Sequence, residues 1–148
     1  MMNRQIDHNL RELHLPAIRE CYKEQSEVAL AESFSYEQYL MGLTEHECET
    51  RREKRMVRFL KDSKLPLEKT LASFDRKRLP QQVDAQLNVL IDGSFLDRSE
   101  NILAFGNPGS GKTHLLCAVG QELILKERRV LFKSCSLLVQ EMLIAKRD

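Results

Sequence analysis

Apolar side chains in the first sixty positions recur at helical spacing. Ile6, Leu10 and Leu13 mark one helix, and Pro16 suits the first position of a second that continues through Ile18, Cys21 and Tyr22. Ser35 with Gln38 forms a capping box, so a third helix is predicted with Tyr36, Tyr39, Leu40 and Leu43 along one face. Its pattern runs on through Met56, Phe59 and Leu60 until Leu65-Pro66 stops it. Residues 66–79 read as a connector anchored by Leu67, Leu71 and Phe74. From Pro80 an amphipathic helix carries Val83, Leu87, Leu90 and Ile91, with Gly93 as its end.

Beyond residue 100 the period changes. Asn101 to Phe105 is a short apolar run suited to a buried strand, and Val130-Leu131-Phe132 is another. Between them a glycine-rich loop leads into a helix from Lys112 to about Lys126, with Leu115, Leu116, Val119 and Leu123 inward. A last helix, capped by Ser136, carries Leu137, Leu138, Met142 and Leu143. Strand, loop, helix, strand, helix is the start of a parallel α/β sheet. The expected organisation is a helical domain over 1–65, a basic connector over 66–79 and an α/β part over 80–148. Val89-Leu90-Ile91-Asp92 imitates a strand ending in a metal-binding Asp, but it fits the helical period better and precedes the glycine loop.

Charge sharpens this division. The net charge of the 148 residues is only +1, yet residues 1–50 hold four basic and ten acidic side chains and residues 51–78 hold eleven and four. Arg51, Arg55 and Arg58 share one helix face. They form either a solvated surface or a contact for nucleic-acid phosphates. The four cysteines lack Cys-x-x-Cys spacing, so buried or half-buried thiols in a reducing cytoplasm are expected, not a metal site. The first ten residues are polar and no apolar run could cross a bilayer, which predicts a soluble, cytoplasmic protein without membrane partners.

The chemistry sits in Gly106-Asn107-Pro108-Gly109-Ser110-Gly111-Lys112-Thr113, which matches G-x-x-x-x-G-K-[ST] in full. Glycines allow backbone turns that converge N–H groups on phosphate oxygens, and the following helix adds its positive end. Lys112 is expected at the β- and γ-phosphates of ATP, and the Thr113 hydroxyl on Mg2+. His114 is expected to give its backbone N–H to phosphate while its side chain packs locally.

Together with this loop, five further segments carry a resemblance: Leu15-Pro16-Ala17-Ile18 with Glu24-Gln25, Phe34 to Leu40, Lys69 to Asp75, Asn101 to Phe105, and Leu137-Leu138-Val139. The chain resembles the IstB-like and DnaC-like ATPases of the AAA+ class over nearly its whole length. That resemblance implies a P-loop α/β core preceded by an all-α domain, ATP and magnesium as cofactors, and homo-oligomers. It also implies work on DNA beside a transposase or, for DnaC-like relatives, a replicative helicase. It places Phe74 and Asp75 near the adenine.

Only 36 residues follow Lys112. The family's acidic strand, polar sensor and trans-acting arginine lie later, so the core is expected to be incomplete and no catalytic residue is assigned. In AAA+ proteins the strands run 5-1-4-3-2, so the two strands expected here would not be neighbours. Three functional readings follow: the N-terminal part of a transposition ATPase, a helicase-loader ATPase, or a non-catalytic module binding DNA or a partner. A small P-loop kinase fits less well, because such enzymes usually begin at the phosphate loop.

Overall fold

The computed structural model describes residues 2–146, and among them seven α-helices form: α1 Met2–Glu12, α2 Pro16–Ala31, α3 Tyr36–Ser63, α4 Gln81–Asp92, α5 Ser94–Asp97, α6 Lys112–Leu125 and α7 Cys135–Ala145. The chain clusters into two compact units, Met1–Arg55 and Met56–Asp148.

In the first unit the core is Ile18, Tyr22 and Leu43, with Ile6, Leu10 and Tyr39 packed around it. The capping box forms as the spacing predicts: Gln38 N–H donates to Ser35 Oγ at 3.2 Å, and Ser35 N–H to Gln38 Oε1 at 2.8 Å. Pro16 begins α2, which no neighbouring side chain caps. The cap comes from α3 instead. Buried Glu47 accepts the N–H of Ala17 at 2.8 Å and of Ile18 at 3.1 Å through Oε2. Its Oε1 accepts from Arg51 Nε at 2.8 Å, and Arg51 Nη2 donates to the His14 carbonyl. One carboxylate therefore satisfies two helix-end donors and neutralises one arginine. Burial pushes the Glu47 pKa up, but the bonds from Arg51, Ile18 and Ala17 outweigh it and hold the group below the ordinary carboxylate value.

In the second unit Leu87 of α4, Phe95 of α5 and Val119 and Leu123 of α6 make one core. Leu65, Cys117 and Ile124 make another, joined by Phe59 and Leu60. Each fully buried aliphatic side chain here contributes about 1.5–3 kcal/mol. The units divide at Arg55/Met56, ten residues before the division expected at 65. The physical reason is that the last turns of α3 carry the Phe59 and Leu60 that pack beside Cys117 and Ile124. Gly93 ends α4 at φ +85°, where a Cβ would meet Leu123 Cδ2 at 2.8 Å, so both conformation and space favour glycine.

The sheet expected from the sequence does not form. In Asn101 to Phe105 and Val130 to Phe132 no strand forms, and no strand occurs among the described residues. A strand exists only through its ladder to a neighbour, and neither segment has one. Leu103 is 77% exposed and Phe105 85%. Helix α7 likewise buries none of its residues, and its cap is Ser134, not Ser136, with Ser134 Oγ accepting from Leu137 N–H at 3.4 Å. Cys117 is buried and Cys21 half-buried as expected, whereas Cys48 and Cys135 are exposed. No helix among the described residues is long and apolar enough to cross a membrane.

Candidate nucleotide-binding site

The glycine loop leaves Phe105 and turns at residues 108–110, where Ser110 N–H donates to the Asn107 carbonyl at 3.2 Å. Asn107, Pro108, Gly109, Ser110 and Thr113 are all exposed. Gly111 takes φ +89° as the N-cap of α6, and no side chain caps that helix end. A Cβ at Gly111 would stand 3.0 Å from Phe74 Cε2, so the backbone conformation favours glycine and the close Phe74 ring adds to that preference. The N–H groups of the first turn, from Lys112 to His114, have no intrahelical acceptor and point with the positive end of the helix. Lys112 Nζ donates to the carbonyls of Gly106 and Asn107, each at 2.9 Å, and lies 3.5 Å from Ser110 Oγ. The ammonium thus closes the loop on itself across its mouth.

The connector forms the facing wall. Phe74 meets the His114 ring edge-on, with centroids 5.2 Å apart and planes at 71°. Ser73, Phe74, Asp75 and Leu79 line a cleft of ≈ 250 Å³ with Gly109, Ser110, Gly111 and His114. Asp75 accepts from Lys77 N–H at 3.2 Å and starts the 3-10 turn Arg76–Arg78. Arg76 ties that turn to α4 through Asp84 at 2.7 Å and Asn88 at 3.0 Å. Gln121 Nε2 on α6 donates to the carbonyls of Pro66 at 3.1 Å and Lys69 at 3.2 Å. A second, more apolar cleft of ≈ 400 Å³ continues from the loop along Ile102 to Phe105 and between Val83, Leu90 and Leu115.

Asp92, the imitation metal ligand, ends α4 as periodicity predicts, and Lys126 Nζ lies 3.2 Å from its carbonyl and 3.8 Å from Oδ1. No group of three His, Cys, Asp or Glu side chains able to hold a metal occurs among the described residues.

The three arginines of the basic stretch are not equivalent. Arg51 is engaged by Glu47 and the His14 carbonyl within the first unit. Arg55 is exposed on the same helix. Arg58, in the second unit, lies over the Phe59 ring at 5.8 Å, and Arg129 lies over the same ring at 5.9 Å. Sequence patterning alone does not pick out Arg129, which is seventy residues from Phe59 in the chain.

A G-x-x-x-x-G-K-[ST] loop at an uncapped helix start is the sequence pattern of the phosphate-loop class of nucleotide-binding proteins. Within that class, the model of the IstB-like ATP binding proteins matches residues 8–148, and the chain belongs to that family. It is 38% identical over 140 residues to an insertion-sequence ATP-binding protein of Sinorhizobium fredii, covering 94% of this chain and 47% of that one. It is 34% identical over 141 residues to the protein of that kind from insertion sequence IS5376 of Geobacillus stearothermophilus, covering 95% and 56%. For the counterpart from IS21 of Pseudomonas aeruginosa the identity is 33% over 122 residues, covering 82% and 46%. The chain thus spans about half the length of the curated relatives it matches.

Proposed function

We propose that the loop from Gly106 to Thr113 holds the triphosphate of ATP, and that the chain contributes this binding step to an ATP-dependent helper of DNA transposition. The observation that carries the reading is Lys112 Nζ, 2.9 Å from two loop carbonyls at the mouth of an uncapped helix. A phosphate oxygen is a stronger partner for an ammonium than a neutral carbonyl, so the side chain exchanges one for the other when nucleotide enters. The backbone N–H groups from Gly109 to His114 then complete the cradle.

Magnesium fits the site only as a companion of the nucleotide. Thr113 is exposed on the first turn of α6, and among the described residues no group of three His, Cys, Asp or Glu side chains competes for the ion. The phosphates, Thr113 and water would supply the remaining oxygens. Phe74 and Asp75 line the cleft beside the loop, and the reading sets the base against them. The names of the relatives, all ATP-binding proteins of insertion sequences, favour a transposase over a replicative helicase as the partner. DNA contact through the basic stretch and self-assembly belong to the same reading.

Calorimetric titration with Mg-ATP tests it. Lys112→Ala is expected to weaken binding by about tenfold to a hundredfold, the worth of one charge-assisted bond, with helical content preserved. Equal affinity of variant and parent would sink the assignment.

A further inference from the structure

We infer that His114 is a positioning residue that fastens the base-side wall of the nucleotide site to the phosphate loop, so that it governs recognition of the nucleoside and not of the phosphates. This rests on the phosphate-loop reading proposed above.

The residue is placed for the task by its position in the chain. It follows Thr113 in the first turn of α6, so its backbone is fixed with the loop. Its side chain reaches residues more than forty positions earlier. Nε2 lies 3.0 Å from the Thr70 carbonyl and 3.2 Å from Ser73 Oγ. The carbonyl can only accept, so the ring carries its proton on Nε2.

The segment it grips is already a closed turn. Thr70 N–H donates to Ser73 Oγ at 3.1 Å, and Ser73 N–H donates to Thr70 Oγ1 at 3.1 Å. Phe74 follows directly, edge-on to the His114 ring and in van der Waals reach of Gly111. The imidazole therefore joins the turn and the aromatic wall in one contact. Gln121 holds only the earlier carbonyls of Pro66 and Lys69. A packing role would be met by any ring; the bond to Thr70 requires a donor at this point.

The consequence is a separation of functions within one site. Phosphates are held by backbone N–H groups and Lys112, which do not depend on the imidazole. The wall formed by Phe74 and Asp75 keeps its distance from the loop through His114. Loss of the imidazole lets the wall drift, and contacts to the base and sugar are lost first.

The test compares Mg-ATP with inorganic tripolyphosphate, titrated into the parent chain and into His114→Phe and His114→Gln. Phe keeps the ring without the donor, whereas Gln places an amide donor near Nε2 without the ring. The ratio of ATP to tripolyphosphate affinity is expected to fall about tenfold in His114→Phe, the worth of one hydrogen bond. In His114→Gln most of that ratio is expected to return, with circular dichroism confirming equal helicity. Parallel losses for both ligands, or an unchanged ratio, would overturn the inference. So would a failure of Gln to restore the ratio that Phe loses. A parent chain that binds neither ligand, or binds both regardless of Lys112, would instead overturn the phosphate-loop reading itself.

Discussion

Glu47 shows how one side chain carries more than its local pattern reveals. In sequence it is one acid among ten in the first fifty residues, yet it caps α2 from thirty positions away. Pro16 has no N–H to offer, so the carboxylate takes the next two, on Ala17 and Ile18. Its pKa is depressed in the folded protein, so it contributes stability above the unfolded carboxylate value and loses it as pH falls through the folded one. Glu47→Gln is expected to cost about 1–3 kcal/mol at neutral pH, because the charged bonds become neutral ones. That difference should shrink as the pH falls below the ordinary carboxylate range and through the depressed pKa of the folded protein, where the parent carboxylate takes up a proton. Urea titrations of both chains between neutral pH and acid would show it. A gap independent of pH would mean that the charge contributes nothing.

Helix α3 is where the sequence reading of DNA contact has to be divided. Periodicity correctly groups Arg51, Arg55 and Arg58 on a helix, but it cannot see that Arg51 answers to Glu47. Replacing Arg51 is expected to lower stability, because it leaves a buried carboxylate without its cation. Substituting Arg55 and Arg58 with Gln is the cleaner probe. If each meets one phosphate, the slope of log affinity against log salt should flatten by about two. An unchanged slope in a fluorescence titration with duplex DNA would leave these residues as a solvated helix face.

The other elements were legible wherever their signals are local. The capping box at Ser35, the first-turn proline of α2 and the glycine end of α4 all stand where the residues put them. The cap of α7 is Ser134 and not Ser136, because both serines suit the role and the helix starts two residues earlier than its apolar residues suggest. The two apolar runs suit strands by composition, but no ladder pairs them among the described residues. Composition can mark a segment as fit for a sheet, but pairing is a relation to another segment. In the candidate site the loop was readable because its residues are contiguous. The wall was readable only through the family resemblance, and the His114 bond to Thr70 not at all, since it spans 44 positions.

At the scale of the molecule, holding a triphosphate and hydrolysing it are separate demands. The loop can cradle phosphates, but turnover also requires an oriented water and a cation to neutralise the charge that develops. An arginine in that role is worth about three to five powers of ten in rate. Among the described residues no strand follows the loop to carry a carboxylate toward it. Asp92, whose sequence imitates such a strand, ends a helix beside Lys126 instead. The apolar surface tells the same story, since Leu103, Phe105 and the whole of α7 remain uncovered. Burying that surface would be needed to set a catalytic carboxylate firmly against the loop. With that surface uncovered and Asp92 engaged by Lys126, these 148 residues taken alone are expected to bind Mg-ATP without turning it over, even in the presence of DNA. Phosphate release measured beside Lys112→Ala checks this, and the two traces should coincide. Steady release that the substitution abolishes would mean that a carboxylate within these residues already reaches the water, with Asp92 the first to be replaced.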